Sequence, residues 1–167
     1  MTIMEYITAP LYILAAYILF CKVWPYVLYP NYLRKSRVET YPELRELATR
    51  LRGEDKTHTL RNVYAYMQET YTGYGEILKI NSLLTVFQFG DFSTNKILHR
   101  KQFLWCHTQN RLFKSILVNT GLFREDEIVV QRSIWSSFFI HQWICIDIGG
   151  RKIEIDPHYH LLEVGHM

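Results

Sequence analysis

The sequence predicts an α+β fold, in which helices come first and an antiparallel sheet follows. Apolar residues recur at helical spacing in two stretches between residues 42 and 71, and again from residue 106 to residue 120. After about residue 127 the pattern changes to alternate positions, which predicts strands over residues 127–135, 137–148 and 151–157. Helices followed by strands favour an arrangement in which the N-terminal helices pack on an antiparallel sheet.

The composition supports a folded domain and argues against two classes of protein. Of the 167 residues, 49% are hydrophobic and 21% are charged, which is ordinary for a globular protein and excludes broad disorder. The formal net charge of +3 comes without any long basic run, so nothing favours nucleic-acid binding. The three cysteines, Cys21, Cys106 and Cys145, are an odd number without close spacing, which argues against a disulfide framework and fits a reducing compartment.

Residues 1–33 form a hydrophobic segment that we interpret as a membrane anchor. Residues 6–21 carry no charge, and as a helix they would rise about 24 Å, short of a hydrocarbon core of about 30 Å. With the Lys22 side chain reaching the headgroups, the apolar stretch continues, so that residues 6–28 could cross the bilayer. Aromatic residues and then cations follow, as at a membrane boundary: Trp24, Tyr26, Tyr29, Arg34, Lys35 and Arg37.

Two alternatives to a transmembrane helix stay open for this anchor. The helix could lie in the membrane interface or pack against the following domain, and Pro10 and Pro25 weaken a continuous span. Because the basic residues come after the hydrophobic segment, the positive-inside rule places the domain of residues 34–167 in the cytoplasm. We therefore predict a membrane-associated protein whose soluble domain faces the cytoplasm.

Three helices are predicted within the domain. The first follows Pro42, a residue favoured in the first turn, and ends before Gly53. Thr57 is the expected N-cap of the second, while the third begins at Cys106 and ends before Gly121. The residues expected on the three buried faces are, in order, Leu44, Leu47, Ala48 and Leu51; Leu60, Val63, Tyr64, Met67 and Tyr71; and Leu112, Phe113, Ile116 and Leu117.

The last two predicted strands form a hairpin around the Gly-Gly pair at residues 149–150. With these two residues as the turn, Ile148 pairs with Arg151, and counting outward places Trp143 opposite Asp156. Because faces alternate along a strand, each side of the hairpin has its own chemistry. One face holds Ile144, Ile146, Ile148, Ile153 and Ile155, and the other holds His141, Trp143, Cys145, Asp147, Lys152, Glu154 and Asp156.

Cys106 and two residues of the hairpin form a candidate catalytic group. His141 is the diagonal neighbour of Asp156 in the predicted register, and both point away from the isoleucine face. A helix N-terminus stabilises negative charge, which suits a thiolate at Cys106, and the amide there could donate to an oxyanion. If Cys106 meets His141, the three residues supply a nucleophile, a general base and a carboxylate that orients the base. Taken alone, Cys106 could equally be a buried core thiol.

These motifs resemble the transglutaminase-like superfamily. The resemblance lies in a cysteine at the start of a helix ending in "NTGL", in "HQW" within a strand, and in "IEIDP" about fifteen residues later. The stretch "TLRNVYAYMQETY" also resembles the helix that precedes the catalytic cysteine of the family. The likeness covers residues 41–159 and implies a papain-like thiol fold, with Cys106 as nucleophile, His141 as base and Asp156 as the partner that orients it.

The resemblance implies a thiol-dependent acyl-transfer enzyme that acts on an amide bond of a protein or peptide, with no cofactor and no metal. Hydrolysis by a peptidase or amidase is favoured over cross-linking, because a small domain offers little that would exclude water from an acyl-enzyme. The alternative is a catalytically inactive transglutaminase-like module that serves as a membrane-tethered protein-binding domain. The bulky residues of "RKQFLWCHTQNRL" around the cysteine keep this alternative open.

Other residues allow different chemistry. A metal site could be formed by Asp156, His158 and His160, which alternate along a segment expected to be extended. We favour instead a place for the two histidines at a cleft rim or in solvent. Cys145, in the middle of a strand, is interpreted as a packing residue, and His107 as a structural one.

Overall fold

The structure, a computed structural model, describes five parts of the chain. They are residues 8–16, 37–71, 93–99, 106–133 and 141–164. The chain divides into two compact units, a larger one of Lys35–Arg132 and Gln142–Met167 and a smaller one of Met1–Arg34 and Ser133–His141.

The described residues form an α+β arrangement, as predicted, with five helices and a four-stranded antiparallel sheet. The strands lie in the order β1-β2-β3-β4, so each strand neighbours the next one along the chain. The elements are α1 (residues 8–16), α2 (Pro42–Leu51), α3 (Lys56–Thr70), α4 (Thr94–Leu98), α5 (Cys106–Asn119), a 3₁₀ turn (Glu125–Glu127), β1 (Ile128–Ser133), β2 (His141–Ile148), β3 (Arg151–Asp156) and β4 (Leu161–Val164).

Helices α2 and α3 confirm the predicted pattern, with one correction at a cap. Pro42 lies in the first turn of α2. Of the side chains expected to be buried on its inner face, Leu44, Leu47 and Ala48 are buried, whereas Leu51 is only partly buried. The N-cap of α3 is Asp55 rather than Thr57, because the Asp55 carboxylate accepts a hydrogen bond of 2.7 Å from the main-chain N–H of His58. Thr57 therefore lies inside the first turn of the helix.

Helix α5 is the central helix of the larger unit and contacts α2, α3 and α4. It begins at Cys106, as predicted, and ends at Asn119. The four apolar side chains predicted for its inner face, Leu112, Phe113, Ile116 and Leu117, are fully buried. Beyond the end of the helix, Gly121 has a φ of +76°, the left-handed conformation that favours glycine at this position.

The predicted pairing of the hairpin is confirmed from Ile148 to Ile144, whereas the predicted pair of Trp143 with Asp156 stays a prediction. Gly149 and Gly150 have φ values of +63° and +82°, as a two-residue turn with two left-handed positions requires. Strands β2 and β3 pair from Ile148 opposite Arg151 to Ile144 opposite Ile155. The isoleucine face joins the hydrophobic core, with Ile144, Ile146, Ile153 and Ile155 buried and Ile148 packed against them.

Three elements of the structure have no counterpart in the sequence prediction. They are the short helix α4, the 3₁₀ turn before β1, and strand β4. Strand β4 pairs with β3, from Asp156 opposite Leu161 to Ile153 opposite Val164. The strand residues predicted over 134–140 lie outside the described residues.

The carboxylate of Glu39, just before α2, holds two later helices together. One of its oxygens accepts hydrogen bonds from the Thr94 main-chain N–H (2.8 Å) and hydroxyl (2.7 Å), at the first residue of α4. The other oxygen forms an ion pair with Arg111 of α5. The main-chain carbonyl of Glu39 accepts a further hydrogen bond of 2.8 Å from the Asn119 amide, at the opposite end of α5.

The predicted membrane anchor is described only over α1. Its apolar side chains at Leu11, Tyr12, Ile13 and Leu14 are all exposed. Among the described residues, no helix combines the length and the apolar character needed to cross a bilayer. The rest of the predicted segment, residues 1–7 and 17–33, lies outside the described residues, so the anchor itself stays a prediction.

Candidate active site at the start of helix α5

Cys106 is the first residue of α5, and its side chain is buried with 6% of its surface exposed. The helix has 14 residues, so its peptide dipoles add up to a partial positive charge at this end. A sulfur at the first helical position is therefore next to a field that stabilises a thiolate. The predicted position of Cys106 is confirmed, although this position alone is equally compatible with a structural thiol.

The first half of α5 buries polar side chains. The four residues after the cysteine are all buried: His107, Thr108, Gln109 and Asn110. The most exposed of them, His107, shows only 7% of its surface. Burial of polar groups costs free energy that apolar side chains would avoid, and buried ionisable groups cluster at functional sites. This end of the helix is therefore a candidate functional region.

Asn110 joins this part of α5 to the start of strand β2. It lies one turn after Cys106 and therefore on the same side of the helix. Its side-chain Nδ2 donates a hydrogen bond of 2.8 Å to the main-chain carbonyl of Gln142, and both residues are buried. Gln142 is the second residue of β2 and directly follows His141. The bond therefore fixes the beginning of β2 beside the first turns of α5.

Asp156 is the last residue of β3 and is buried, with 8% of its surface exposed. Its Oδ1 atom accepts hydrogen bonds from the main-chain N–H groups of His158 (3.1 Å) and Tyr159 (3.2 Å). These bonds fold the chain into a turn immediately after the strand and hold the carboxylate in one orientation. Asp156 is therefore both the end of the strand and the organiser of the turn that follows it.

The turn after Asp156 lies near the first turn of α5 through two buried histidines. Complete burial, the charge of Arg111 and the neighbouring His158 together lower the pKa of His107 to about 3. His107 is therefore neutral at physiological pH. Because His158 lies two residues after Asp156, its proximity to His107 places the turn after Asp156 near the end of the helix that carries Cys106.

In α3, Gln68 contacts the turn after Asp156, and Tyr64 lies near enough to feel the charge of the Asp156 carboxylate. The Gln68 side chain donates a hydrogen bond of 3.2 Å from Nε2 to the main-chain carbonyl of Pro157. Tyr64, one turn earlier, is half-buried, and its pKa is raised by burial and by the negative charge of Asp156. Its phenol therefore stays protonated at neutral pH and is available as a donor near the carboxylate.

His141 is the first residue of β2, and its side chain is buried. Since side chains alternate along a strand, His141 shares the face of Trp143 and Cys145, as predicted. His141 belongs to the smaller unit, whereas Cys106 and Asp156 belong to the larger one. The meeting of His141 with these two residues stays a prediction.

Cys145 provides a contrast within the same chain. It is half-buried in the middle of β2, directly opposite Glu154 of β3. Desolvation raises the pKa of its thiol, and the carboxylates of Glu154 and Asp147 raise it too, against a smaller lowering by Lys152. Its surroundings therefore oppose a thiolate, which agrees with its interpretation as a packing residue.

The premise of the metal-site alternative is wrong. His158 and His160 were expected to alternate with Asp156 along an extended segment, but residues 157–160 form a turn. His158 is buried, whereas His160 is exposed and has a φ of +59°. In the parts of the chain that the structure describes, no three His, Cys, Asp or Glu side chains are grouped as a metal ion would require.

Comparison of the chain with protein families, with curated proteins and with solved structures gives no significant match. The resemblance to the transglutaminase-like superfamily therefore depends on the motifs quoted above and stays a prediction.

Three residues of this site were not identified from the sequence: Asn110, Tyr64 and Gln68. Tyr64 was assigned to the apolar stripe of α3, and Asn110 was not singled out. Both amide side chains bind main-chain carbonyls that are distant in sequence, and such a partner leaves no pattern in the residue types. The only available signal was an asparagine one turn after a candidate nucleophile.

Proposed function

We propose that this protein is a thiol-dependent acyl-transfer enzyme of the transglutaminase-like type, which hydrolyses an amide bond of a protein or peptide. Cys106 is the nucleophile, His141 the general base and Asp156 the carboxylate that orients His141. The observation that carries the proposal is the buried hydrogen bond between Asn110 and the carbonyl of Gln142. It ties the residue that follows the proposed base to the helix that begins with the proposed nucleophile.

Two further observations support the assignment of roles. Asp156 is buried at the end of β3, and its turn interacts with the first turn of α5 through His107 and His158. His107 is adjacent to the nucleophile but, with a pKa of about 3, it is a poor proton acceptor near neutral pH. The base is therefore better supplied by a histidine from another element, and His141 is the candidate that the hairpin provides.

The proposed reaction has two stages. The Cys106 sulfur attacks the amide carbonyl carbon while His141 accepts the thiol proton, and the oxyanion forms near the N-terminus of α5. The C–N bond then breaks, the imidazolium gives its proton to the leaving amine, and a thioester remains on Cys106. Water attacks the thioester with His141 as base, the C–S bond breaks, and the thiol regains its proton as the acid leaves.

Selective alkylation of Cys106 tests the proposal. The full chain is treated with iodoacetamide at about pH 6.5, and the modification of each cysteine is followed by mass spectrometry of peptides. We expect Cys106 to react about tenfold faster than Cys145, although Cys106 is the more buried of the two, because thiolate character controls the rate. His141→Ala should remove the difference, and Asp156→Asn should reduce it without removing it.

Cys145 serves as the control within the same molecule, since its environment disfavours the thiolate. A Cys106 that reacts no faster than Cys145, with no response to His141→Ala, contradicts the enzyme proposal. That outcome would favour the alternative of a catalytically inactive module that binds a protein partner through the same surface.

We also propose that residues 6–28 attach the domain to a membrane, with the domain on the cytoplasmic side. The exposed apolar side chains of α1, among them Leu11 and Ile13, support this part. Cosedimentation with phosphatidylcholine–phosphatidylserine vesicles should be strong for the full chain and at least about tenfold weaker for Leu11→Asp/Ile13→Asp. Release from membranes by high salt alone would contradict an anchor that inserts into the hydrocarbon.

A further inference from the structure

Asn110 is one of the buried polar residues that follow Cys106 in α5, and its hydrogen bond to Gln142 is well defined. It is not a member of the proposed triad. We propose that Asn110 is a positioning residue for His141, an inference that depends on the acyl-transfer function proposed above. Asn110 fixes the main chain at Gln142, and the main chain at Gln142 sets where the His141 side chain starts. The residue acts through the base and does not itself contact the substrate.

The bond of Asn110 reaches the N-terminal end of strand β2. Strand β2 pairs with β3 from Ile144 to Ile148, and β1 is its neighbour on the other side. The Asn110 amide, at 2.8 Å from the carbonyl one residue after His141, adds a contact from helix α5 at this end of the strand.

The surroundings of the Asn110 side chain indicate that its role is not stability alone. Only 1% of its surface is exposed, and no described group donates a hydrogen bond to its buried Oδ1. A buried acceptor without a donor destabilises a core, so an apolar side chain would serve the fold better at this position. The amide is explained if its single donated bond has a purpose outside the core, namely the orientation of the strand that carries the base.

The test compares two changes at Asn110 with a matched change on the same helix. Asn110→Ala removes the donor, and Asn110→Asp replaces it with a carboxylate that repels the Gln142 carbonyl. Asn119→Asp is the control, because Asn119 also donates from Nδ2 to main-chain carbonyls, at the far end of α5. Each full-length variant is assayed for Cys106 alkylation by iodoacetamide across pH, with His141→Ala as reference and sucrose present to favour the folded state.

We expect both Asn110 variants to slow alkylation of Cys106 at neutral pH by about threefold or more, though less than His141→Ala does, and to move the pH profile towards that of His141→Ala. Asn119→Asp should stay within about twofold of the wild-type rate, because its lost contacts are far from the base. A loss of packing alone would change the melting temperature without changing the shape of the profile.

Two outcomes would overturn the inference. The first is folded Asn110 variants that keep the wild-type pH profile while His141→Ala changes it. The second is a failure of Asn110→Ala to fold even with sucrose, which would assign the residue to the fold. Neither outcome affects the proposed function, which fails on a different result: wild-type Cys106 that is no more reactive than Cys145.

Discussion

The two halves of helix α5 are buried to a similar extent but contain opposite chemistry. The second half, taken from Leu112 onward, is mainly apolar apart from Lys114, Ser115 and Asn119, and Leu112, Phe113, Ile116 and Leu117 are inaccessible to solvent. The first half is as deeply buried, yet after Cys106 it presents two amides, a hydroxyl and an imidazole. Because burial of polar groups costs free energy that hydrogen bonds only offset, we expect the first half to contribute less to stability than the second. The difference is consistent with the proposal that the first half has a role besides folding.

The largest expected effect comes from breaking the apolar half. Phe113→Ala removes a fully buried ring and leaves a cavity, so the free energy of unfolding should fall by about 4 kcal/mol. Urea unfolding followed by circular dichroism measures this loss. A loss below about 1 kcal/mol would mean that the second half of α5 is not the stabilising half.

A smaller and pH-dependent effect is expected in the polar half, at His107. Its pKa is about 3 in the folded protein against an ordinary 6.5, so below pH 6.5 the unfolded chain binds a proton that the folded chain does not. Stability should therefore fall as the pH falls, by about 1.5 kcal/mol between pH 6.5 and about pH 5.

The measurement is urea unfolding of wild type and of His107→Gln at both pH values. The variant lacks the titrating group, so it should lose about 1.5 kcal/mol less than the wild type over this range. Ser115→Ala keeps every titrating group and should follow the wild type. If the free energy of unfolding changes equally with pH in His107→Gln and in wild type, His107 does not take up a proton on unfolding.

The smallest effect on the free energy of unfolding is expected at Ser115. Ser115 is fully buried, and in the part of the chain that the structure describes its hydroxyl makes no hydrogen bond. Ser115→Ala removes that cost and should change the free energy of unfolding by less than about 0.5 kcal/mol. A loss above 1 kcal/mol, measured by the same urea titration, would reveal that the hydroxyl is bound after all.

The sequence predicted those features that depend on local chemistry. The start of α5 at Cys106 follows from helical periodicity, and the register of β2 with β3 follows from the Gly149–Gly150 turn. The turn of residues 157–160 was missed because it depends on the Asp156 carboxylate, which accepts two main-chain N–H groups after the strand has ended. The partners of Asn110 and Gln68 were missed because they are main-chain carbonyls, which every residue has.

The contacts of Glu39 have a consequence for the order in which the chain folds. Its three partners, Thr94, Arg111 and Asn119, follow it by 55, 72 and 80 residues. Helix α4 has only five residues, which is too few for an isolated helix to be stable. It therefore depends on the carboxylate of Glu39, a residue that is synthesised well before the helix. At ordinary synthesis rates the residues before α2 spend on the order of ten seconds without these partners. Loop closure over such distances, rather than helix formation, is therefore expected to limit the folding rate.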